Sequence, residues 1–396
     1  MGMAGRTVDR RNARLYLLGV GASQLGDTAL SLVAGIWVKT LTGSSSAAAL
    51  VAVCVYGPSL CGPVAGLLAD RVRVRTLLLV VNLTGAVLVL PLLLVDSAAR
   101  AWLIYAVMLG YGTVAVIIDS AETALFVVML PQDVRRSTNG MRLTLGEGAK
   151  LVAPVLGAGV FAALGGGVVA AIDAATFALA ALMIGRLRVS APKPVPRRRH
   201  WRAELTAGLR HIGREADLRA MVFAGAAAML ISGVASAAQY SLVDALHRAP
   251  AFLGVLAGAL GAGSILAGLT SAPLISRVGE RRLALLGLMN GVLASLLRLL
   301  PWTPAAVLSW FVAGFALPWL VLAVINLTQR RTPNELQGRV ASAVTLALFA
   351  NQPLAHALGA WAVGRVSYQA IYAGAAAVTL AVGIRLARSP ADATGE

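Results

Sequence analysis

The sequence predicts an all-α integral membrane protein with twelve transmembrane helices in two bundles of six. Of its 396 residues, 58% are apolar and 13% are charged, whereas soluble domains carry about 25% charged residues. The apolar residues form blocks of about 20, the length that an α-helix needs to cross the hydrocarbon core of a bilayer. The longest polar interruption, 187–218, lies near the middle of the chain and leaves six blocks on each side.

Each block is bounded by basic or glycine-rich residues, which set its ends. In chain order, the spans are predicted at 15–38, 47–69, 76–95, 101–129, 142–164, 168–186, 219–243, 252–275, 283–300, 305–329, 340–363 and 368–387. They define an N-terminal six-helix bundle at 1–190, a cytoplasmic linker at 191–218 and a C-terminal six-helix bundle at 219–396.

The basic residues predict the orientation of these spans. Lys and Arg number 34 against 17 Asp and Glu, for a net charge of +17, and such an excess can indicate nucleic-acid binding. Here, however, all but six of them flank the same side of the predicted spans; the exceptions are Lys39, Arg100, Lys150, Arg248, Arg298 and Arg365. This positive-inside bias predicts a cytoplasmic (inner) membrane protein with both termini in the cytoplasm and no nucleic-acid partner.

The second half of the linker has helical periodicity. Trp201, Leu205, Leu209 and Ile212 recur at helical spacing, which predicts a short amphipathic helix on the cytoplasmic membrane surface. The proline-rich first half of the linker fits the alternative, a disordered basic segment.

The two halves repeat each other weakly. Residues 70–75 match 276–281 at an offset of 206, and residues 131–133 match 333–335 at an offset of 202. Parallel six-helix repeats of this kind place a substrate site near the bilayer midplane and allow alternating access from the two sides.

The loop after span two resembles a family signature. Residues 66–75, Gly-Leu-Leu-Ala-Asp-Arg-Val-Arg-Val-Arg, are similar to the G-x-x-x-D-R-x-G-R-R loop of the major facilitator superfamily, with Arg73 in place of the second glycine and Gly279 keeping it in the second copy. The resemblance implies twelve spans, a small-molecule substrate, a monomer and no cofactor. It also implies that this loop is a conformational latch, formed by Gly66, Asp70, Arg71 and Arg75.

Four further segments are similar to the twelve-span drug and siderophore exporters, the branch that includes the enterobactin exporter. They are Gly26-Asp27, 131–140, 153–158 and 204–210. The resemblance implies proton-coupled efflux of a drug, antibiotic or siderophore-like metabolite.

Residues 153–158 resemble the antiporter signature GPxLGG. Ala153 and Ala158 replace its outer glycines, while Pro154 and Gly157 are retained. Proline and small residues also permit a kinked, close-packed helix, so packing alone is the alternative reading. The fourth-span arginine that the family often uses in proton coupling has no counterpart between Leu103 and Met129.

Acidic residues within the spans are candidate proton carriers. A charged group at the bilayer centre costs about 2.5–3.5 kcal/mol on insertion scales, so such residues are rare and tend to be functional. Asp27 shares a helix face with Gln24, and Asp119 shares one with Glu122. A carboxyl group exchanges its proton as its surroundings change between apolar and hydrated, so these residues are predicted to couple transport to protons.

The remaining intramembrane charges have structural interpretations. Glu147 and Lys150 are three residues apart and are predicted to form an ion pair. Asp173 and Arg298 are predicted to reach the outer interface, Arg298 by extending its side chain along the membrane.

The spans of the C-terminal half contain neutral polar residues that are predicted to line the substrate cavity, namely Gln239, Tyr240, Asn326, Gln352 and His356. His356 is either a proton carrier or a histidine that is hydrogen-bonded to Gln352 or to a backbone carbonyl group. Because the predicted cavity contains acids and few bases, neutral or cationic amphiphiles are the expected substrates.

Other functions are compatible with a membrane-spanning bundle. Uptake and lipid translocation remain alternatives on the same fold. An intramembrane enzyme is disfavoured because the sequence contains no HExxH, G-x-S-x-G or Walker A motif. A transporter-like sensor would be expected to carry a larger soluble domain than the linker provides. The chain is therefore predicted not to be an enzyme and to need no metal.

Overall fold

A computed structural model describes residues 3–62, 65–66, 71–130, 132–188 and 201–389. All regular secondary structure in these segments is helical. The α-helices are α1 (Met3–Thr42), α2 (Ser45–Tyr56), α3 (Val74–Leu88), α4 (Ala101–Met129), α5 (Gln132–Leu164), α6 (Gly166–Gly185), α7 (Trp201–Arg214), α8 (Ala216–Ser236), α9 (Gln239–Ala245), α10 (Phe252–Leu297), α11 (Thr303–Arg331), α12 (Gln337–Phe349), α13 (Gln352–Val363) and α14 (Tyr368–Arg388).

Helix is found at all twelve predicted spans, and nine helices in the described segments are long and apolar enough to cross a membrane. The longest, α10, has 46 residues and a length of about 69 Å, more than twice the hydrocarbon thickness of a bilayer. Its helical path breaks at Gly279, where φ is 79° and ψ is 165°. This helix therefore contains the predicted spans eight and nine.

Predicted spans seven and eleven are interrupted rather than continuous, which corrects the sequence interpretation, and spans two and three continue as 3-10 helix after Tyr56 and Leu88. In span seven, the amide groups of Ala237 and Ala238 bond to carbonyl groups three residues earlier, and α9 begins a separate helix at Gln239. In span eleven, α12 ends at Phe349, and Pro353 lies in the first turn of α13. Proline lacks the amide hydrogen that a continuous helix requires, so the chain restarts its helix there.

The chain divides into two compact units. Unit 1 comprises residues 1–197 and 250–258, and unit 2 comprises 198–249 and 259–396. In unit 1, α1 packs against α5 and α6, and α3 packs against α4 and α6. Helix α5 continues through Pro154, and a Cβ atom on Gly157 would lie 2.8 Å from the Cβ atom of Ala29 in α1. Glycine at this position lets the two helices approach closely.

The predicted amphipathic helix of the linker is α7, and it belongs to unit 2. Ile212 is buried and Leu205 packs against the same apolar core, while α7 contacts α12. A Cβ atom on Gly208 would lie 2.5 Å from the carbonyl oxygen of Arg339. The apolar face of α7 thus covers unit 2 instead of lying only on the membrane surface, because the core of unit 2 offers it a closer-packed partner.

Candidate functional site

Unit 1 encloses a polar cavity of about 160 Å³. It brings together four residues that the sequence analysis selected, namely Gln24, Asp27, Asp119 and Glu122. Helical periodicity explains the grouping, since each pair is three residues apart and occupies one face of its helix. The packing of α1 beside α4 then turns the two faces toward each other.

The carboxylate of Asp27 is held by two hydroxyl groups. Tyr111 donates a hydrogen bond of 2.5 Å to Oδ1, and Ser23 donates one of 3.1 Å to Oδ2. Tyr111 was missed by the sequence analysis, although it lies eight residues before Asp119 and therefore on the same side of α4. The two hydroxyl groups fix the orientation of the carboxyl group within the cavity wall.

Glu122 lies in the same cavity as Arg142, a base that was predicted to lie at the cytoplasmic end of its span. Tyr16 donates a hydrogen bond of 3.4 Å to Glu122 Oε2. Arg142, which was counted among the cytoplasmic basic residues, lines the cavity and interacts electrostatically with Glu122. The acidic cluster of unit 1 therefore includes a cation on α5, even though α4 carries no arginine.

Asp173 does not reach the outer interface as predicted. Its side chain is completely buried, and neither carboxylate oxygen has a hydrogen-bond partner in the described part of the chain. A Cβ atom on Gly26 would overlap both the Asp173 carboxylate and the hydroxyl group of Thr176. Asp173 was misplaced because it lies two turns into α6, on the face that packs against α1 next to Asp27.

Glu147 and Lys150 lie outside the wall of this cavity. Lys150 Nζ is 2.7 Å from Glu147 Oε1, and both side chains are about half exposed. The geometry is that of a local ion pair on one face of α5.

Unit 2 encloses a second cavity, of about 220 Å³ and with a mainly apolar wall. Gln239 lines it, together with five hydroxyl-bearing residues from three helices, namely Ser232, Ser236, Ser295, Tyr372 and Thr379.

The other predicted residues of the C-terminal half are not part of this wall. Tyr240 is buried, Asn326 donates to the carbonyl group of Leu322, and Gln352 donates to that of Met229. His356 Nδ1 lies 3.2 Å from the hydroxyl oxygen of Ser236, a contact that was not predicted from the sequence. Asn326, Gln352 and His356 thus make hydrogen bonds along or between helices.

Arg298 is the cation of the second cavity, which corrects its predicted place at the outer interface. Its guanidinium carbon lies 3.9 Å from the ring centre of Trp310 and 5.3 Å from that of Tyr372. Its Nε atom is 3.4 Å from the hydroxyl oxygen of Ser309. The aromatic rings draw the side chain inward because their faces attract a cation. Each cavity therefore contains one arginine, Arg142 in unit 1 and Arg298 in unit 2, and the expected preference for neutral or cationic amphiphiles stays a prediction.

The predicted latch is described in part. Asp70 lies outside the described residues. Arg71 is exposed, and a methyl group on Gly66 would meet no described atom within 4 Å. Arg75 donates hydrogen bonds to the carbonyl groups of Ile184 and Gly185, the last residues of α6. A cation at this position pairs with carbonyl groups at the end of the helix and interacts favourably with the helix dipole.

The arginine that the internal repeat equates with Arg75 has the same role in unit 2. Arg281, 206 residues later, donates to the carbonyl groups of Leu386 and Ser389 at the end of α14. It also lies 3.5 Å from the carboxylate of Asp217, which is paired with Arg331 as well. In each half, the arginine of the loop thus donates hydrogen bonds to the end of the last helix, which supports the internal repeat of the two halves.

The two loops differ in backbone conformation at the position where the signature has its second glycine. Gly279 has a φ of 79°, a conformation that side chains rarely adopt. Arg73, at the equivalent position, has φ of −59° and ψ of 112°, which any L-residue tolerates. The departure from the signature in the first half is therefore matched by a different backbone.

In the described segments, no group of three or more His, Cys, Asp or Glu side chains has the geometry of a metal site.

Comparisons with known proteins agree with this architecture. Residues 220–395 match the family model of the Major Facilitator Superfamily. The crystal structure of the nucleoside transporter NupG superposes with a TM-score of 0.68 at 14% identity, covering 96% of this chain and 98% of that one. A bacterial homologue of the iron transporter ferroportin, inward-facing, gives 0.71 at 14% identity, covering 96% and 98%. The human organic anion transporter MFSD10 gives 0.64 at 18% identity, covering 96% and 99%.

A search of curated proteins gave no match to this chain. The helices and the structural likenesses confirm the predicted fold class: the protein is an all-α, multi-pass integral membrane protein with the major facilitator fold. The family model and the structural neighbours are those of major facilitator transporters. Assignment to the drug and siderophore exporter branch stays a prediction.

Proposed function

We propose that the protein is a secondary active transporter of the cytoplasmic membrane, with both termini cytoplasmic, that exports a small amphiphilic molecule in exchange for protons. The observation that carries the proposal is the environment of Asp27, a carboxyl group fixed by Tyr111 and Ser23 inside a cavity with two further acids. Such acids are costly in a membrane and are retained where they move protons or bind substrate.

The cavity of unit 1 suits both protonation states of Asp27. As a carboxylate, it accepts the hydrogen bonds of Tyr111 and Ser23. As an acid, it needs an acceptor for its own proton, and Gln24 Oε1 is a buried acceptor in the same cavity that lacks a partner among the described residues. Glu122, which accepts the hydrogen bond of Tyr16 and lies near Arg142, is the second candidate for proton exchange.

Efflux is favoured over uptake by the resemblance of residues 153–158 to the antiporter signature. The mainly apolar wall of the unit 2 cavity supports an amphiphilic substrate, because apolar walls bury the body of a ligand while a few polar groups orient it.

The test is transport of a chemically diverse dye and drug panel by Asp27→Asn. Asparagine keeps the shape of the side chain and an oxygen that accepts the Tyr111 hydrogen bond, but it does not carry an exchangeable proton. We expect gradient-driven extrusion to be abolished while expression and folding are retained. Glu147→Gln is the matched control, since it removes a carboxylate of the same unit outside the cavity.

Three results would contradict parts of the proposal. Undiminished extrusion by folded Asp27→Asn would exclude Asp27 as the coupling residue. Extrusion by the unmodified protein that persists after a protonophore collapses the gradient would exclude proton coupling. Higher accumulation of panel compounds in expressing cells than in control cells would indicate uptake.

A further inference from the structure

Arg298 occupies an unusual position for a cation in a membrane protein. It lines the cavity of unit 2, and in the described segments no Asp or Glu side chain forms a salt bridge with it. Its contacts are the rings of Trp310 and Tyr372 and the hydroxyl group of Ser309. Ring faces and a hydroxyl group stabilise a cation without neutralising it, so the charge remains available to a ligand.

Tyr372 supplies a second, independent feature of the same cavity. Its side chain is completely buried, and its hydroxyl oxygen has no hydrogen-bond partner among the described residues. A buried hydroxyl group without a partner is uncommon and calls for an explanation. Tyr372 lines the cavity next to Arg298, so a ligand there would find a cation and a free hydroxyl donor side by side.

We propose that the cavity of unit 2 is the subsite for a carboxylate group of the transported molecule, held by the guanidinium group of Arg298 and the hydroxyl group of Tyr372. The inference rests on the proposed transport function and names the substrate class, an amphiphile with one negative charge. The rest of the wall is largely alanine, glycine and leucine, which suits an apolar body beside the charged group.

A carboxylate fits this subsite better than a phosphate group. A guanidinium group presents paired N–H donors that match the two oxygens of a carboxylate. Phosphate monoesters carry close to two negative charges at neutral pH, and Arg298 is the cationic residue in the cavity wall that the structure describes. One cation balances one carboxylate and leaves a dianion half-compensated.

The test compares three ligands with the same ring system, measured by calorimetric titration of the purified protein in detergent. The ligands are 2-naphthoate, neutral 2-naphthamide and 2-naphthyl phosphate. We expect 2-naphthoate to bind at least about tenfold more tightly than 2-naphthamide, the factor that one charge-assisted hydrogen bond supplies. Arg298→Gln should remove this difference, and Tyr372→Phe should reduce it severalfold.

Arg365→Gln is the matched control. Arg365 also stacks on a tryptophan, with its guanidinium carbon 4.7 Å from the ring centre of Trp361, but it lies outside the cavity wall. Its replacement should leave the preference for 2-naphthoate unchanged. Tyr372→Phe deletes a single oxygen, so the test remains decisive if Arg298→Gln does not fold.

The proposal is overturned if the unmodified protein binds 2-naphthoate and 2-naphthamide equally or binds neither, or if the preference survives in folded Arg298→Gln. Tighter binding of 2-naphthyl phosphate than of 2-naphthoate would overturn the assignment to a carboxylate. Binding is measured without a proton gradient, so the transport function and the carboxylate subsite can be refuted independently of each other. Preserved discrimination without transport by proteoliposomes would refute the transport function, and transport of neutral compounds without discrimination would refute the subsite.

Discussion

Replacement of Arg75 tests whether this residue caps a helix or acts in a latch. Arg75→Ala removes two hydrogen bonds from a charged donor to the last carbonyl groups of α6. Hydrogen bonds to charged groups contribute about 1.5–3 kcal/mol, and the favourable contact with the helix dipole adds about 0.3–1 kcal/mol. For 150–250 residues, each kcal/mol shifts the melting temperature by about 2–4 °C. Two such bonds and the dipole contact together contribute roughly 3–7 kcal/mol, so we expect the apparent melting temperature to fall by roughly 7–28 °C.

Arg281→Ala gives the same experiment in the second unit. It removes the hydrogen bonds of Arg281 to the end of α14 and its ion pair with Asp217. Asp217 keeps Arg331 as its other partner. The melting temperature of Arg281→Ala should therefore fall by at least as much as that of Arg75→Ala. Arg71→Ala is the matched control, since Arg71 belongs to the same loop and is exposed. We expect it to change the melting temperature by less than about 2 °C, as is usual for surface substitutions in a chain of this size.

The assay is thermal unfolding of the purified proteins in one detergent at one scan rate, combined with the transport rate per folded molecule. The fixed scan rate matters because unfolding of large proteins is often irreversible. The capping interpretation is refuted if Arg75→Ala keeps the melting temperature of the unmodified protein. A lost transport rate at unchanged stability would instead assign Arg75 to the latch.

Three further substitutions test the packing and the buried acid. Gly208→Val should lower stability by about 1–3 kcal/mol, because its side chain would collide with the carbonyl group of Arg339. Chemical denaturation of the purified variant measures this loss, and an unchanged denaturation midpoint would contradict the close packing of α7 on α12. Gly26→Ala should destabilise by a similar amount, about 1–3 kcal/mol, since its methyl group would overlap Asp173 and Thr176. Asp173→Asn should leave the melting temperature unchanged, because the carboxylate has no described hydrogen bond to lose; a marked fall would reveal a partner.

The fold was predictable because its determinants are local in sequence. Apolar blocks of membrane-spanning length and an uneven distribution of basic residues require no knowledge of which helices touch. The interruption of span eleven also had a visible signal in Pro353. The interruption of span seven did not, because it arises where Ala237 and Ala238 bond three residues back instead of four, a shift that depends on tertiary packing.

The candidate site was predictable only where charge is rare. Asp27 and Glu122 stand out in apolar helices, and their helix faces follow from spacing. Arg142 and Arg298 were assigned to the interfaces because counting charges at the ends of spans places every terminal arginine in water or headgroups. Arg298 turns inward because Trp310 and Tyr372 provide ring faces, and the sequence does not indicate that these aromatic residues from two other helices surround it.

The backbone difference between the two equivalent loops makes the halves unequal targets for mutation. At Gly279, any other residue would have to adopt φ and ψ values that are essentially restricted to glycine. The resulting backbone strain would cost about 1–3 kcal/mol. At Arg73, the ordinary backbone admits most residues. A saturation library should therefore tolerate broad variation at Arg73 and recover almost exclusively glycine at Gly279. A chimera that carries the first loop in both halves would place an arginine in the strained position, whereas the reverse exchange would introduce a glycine that the first loop accommodates without strain.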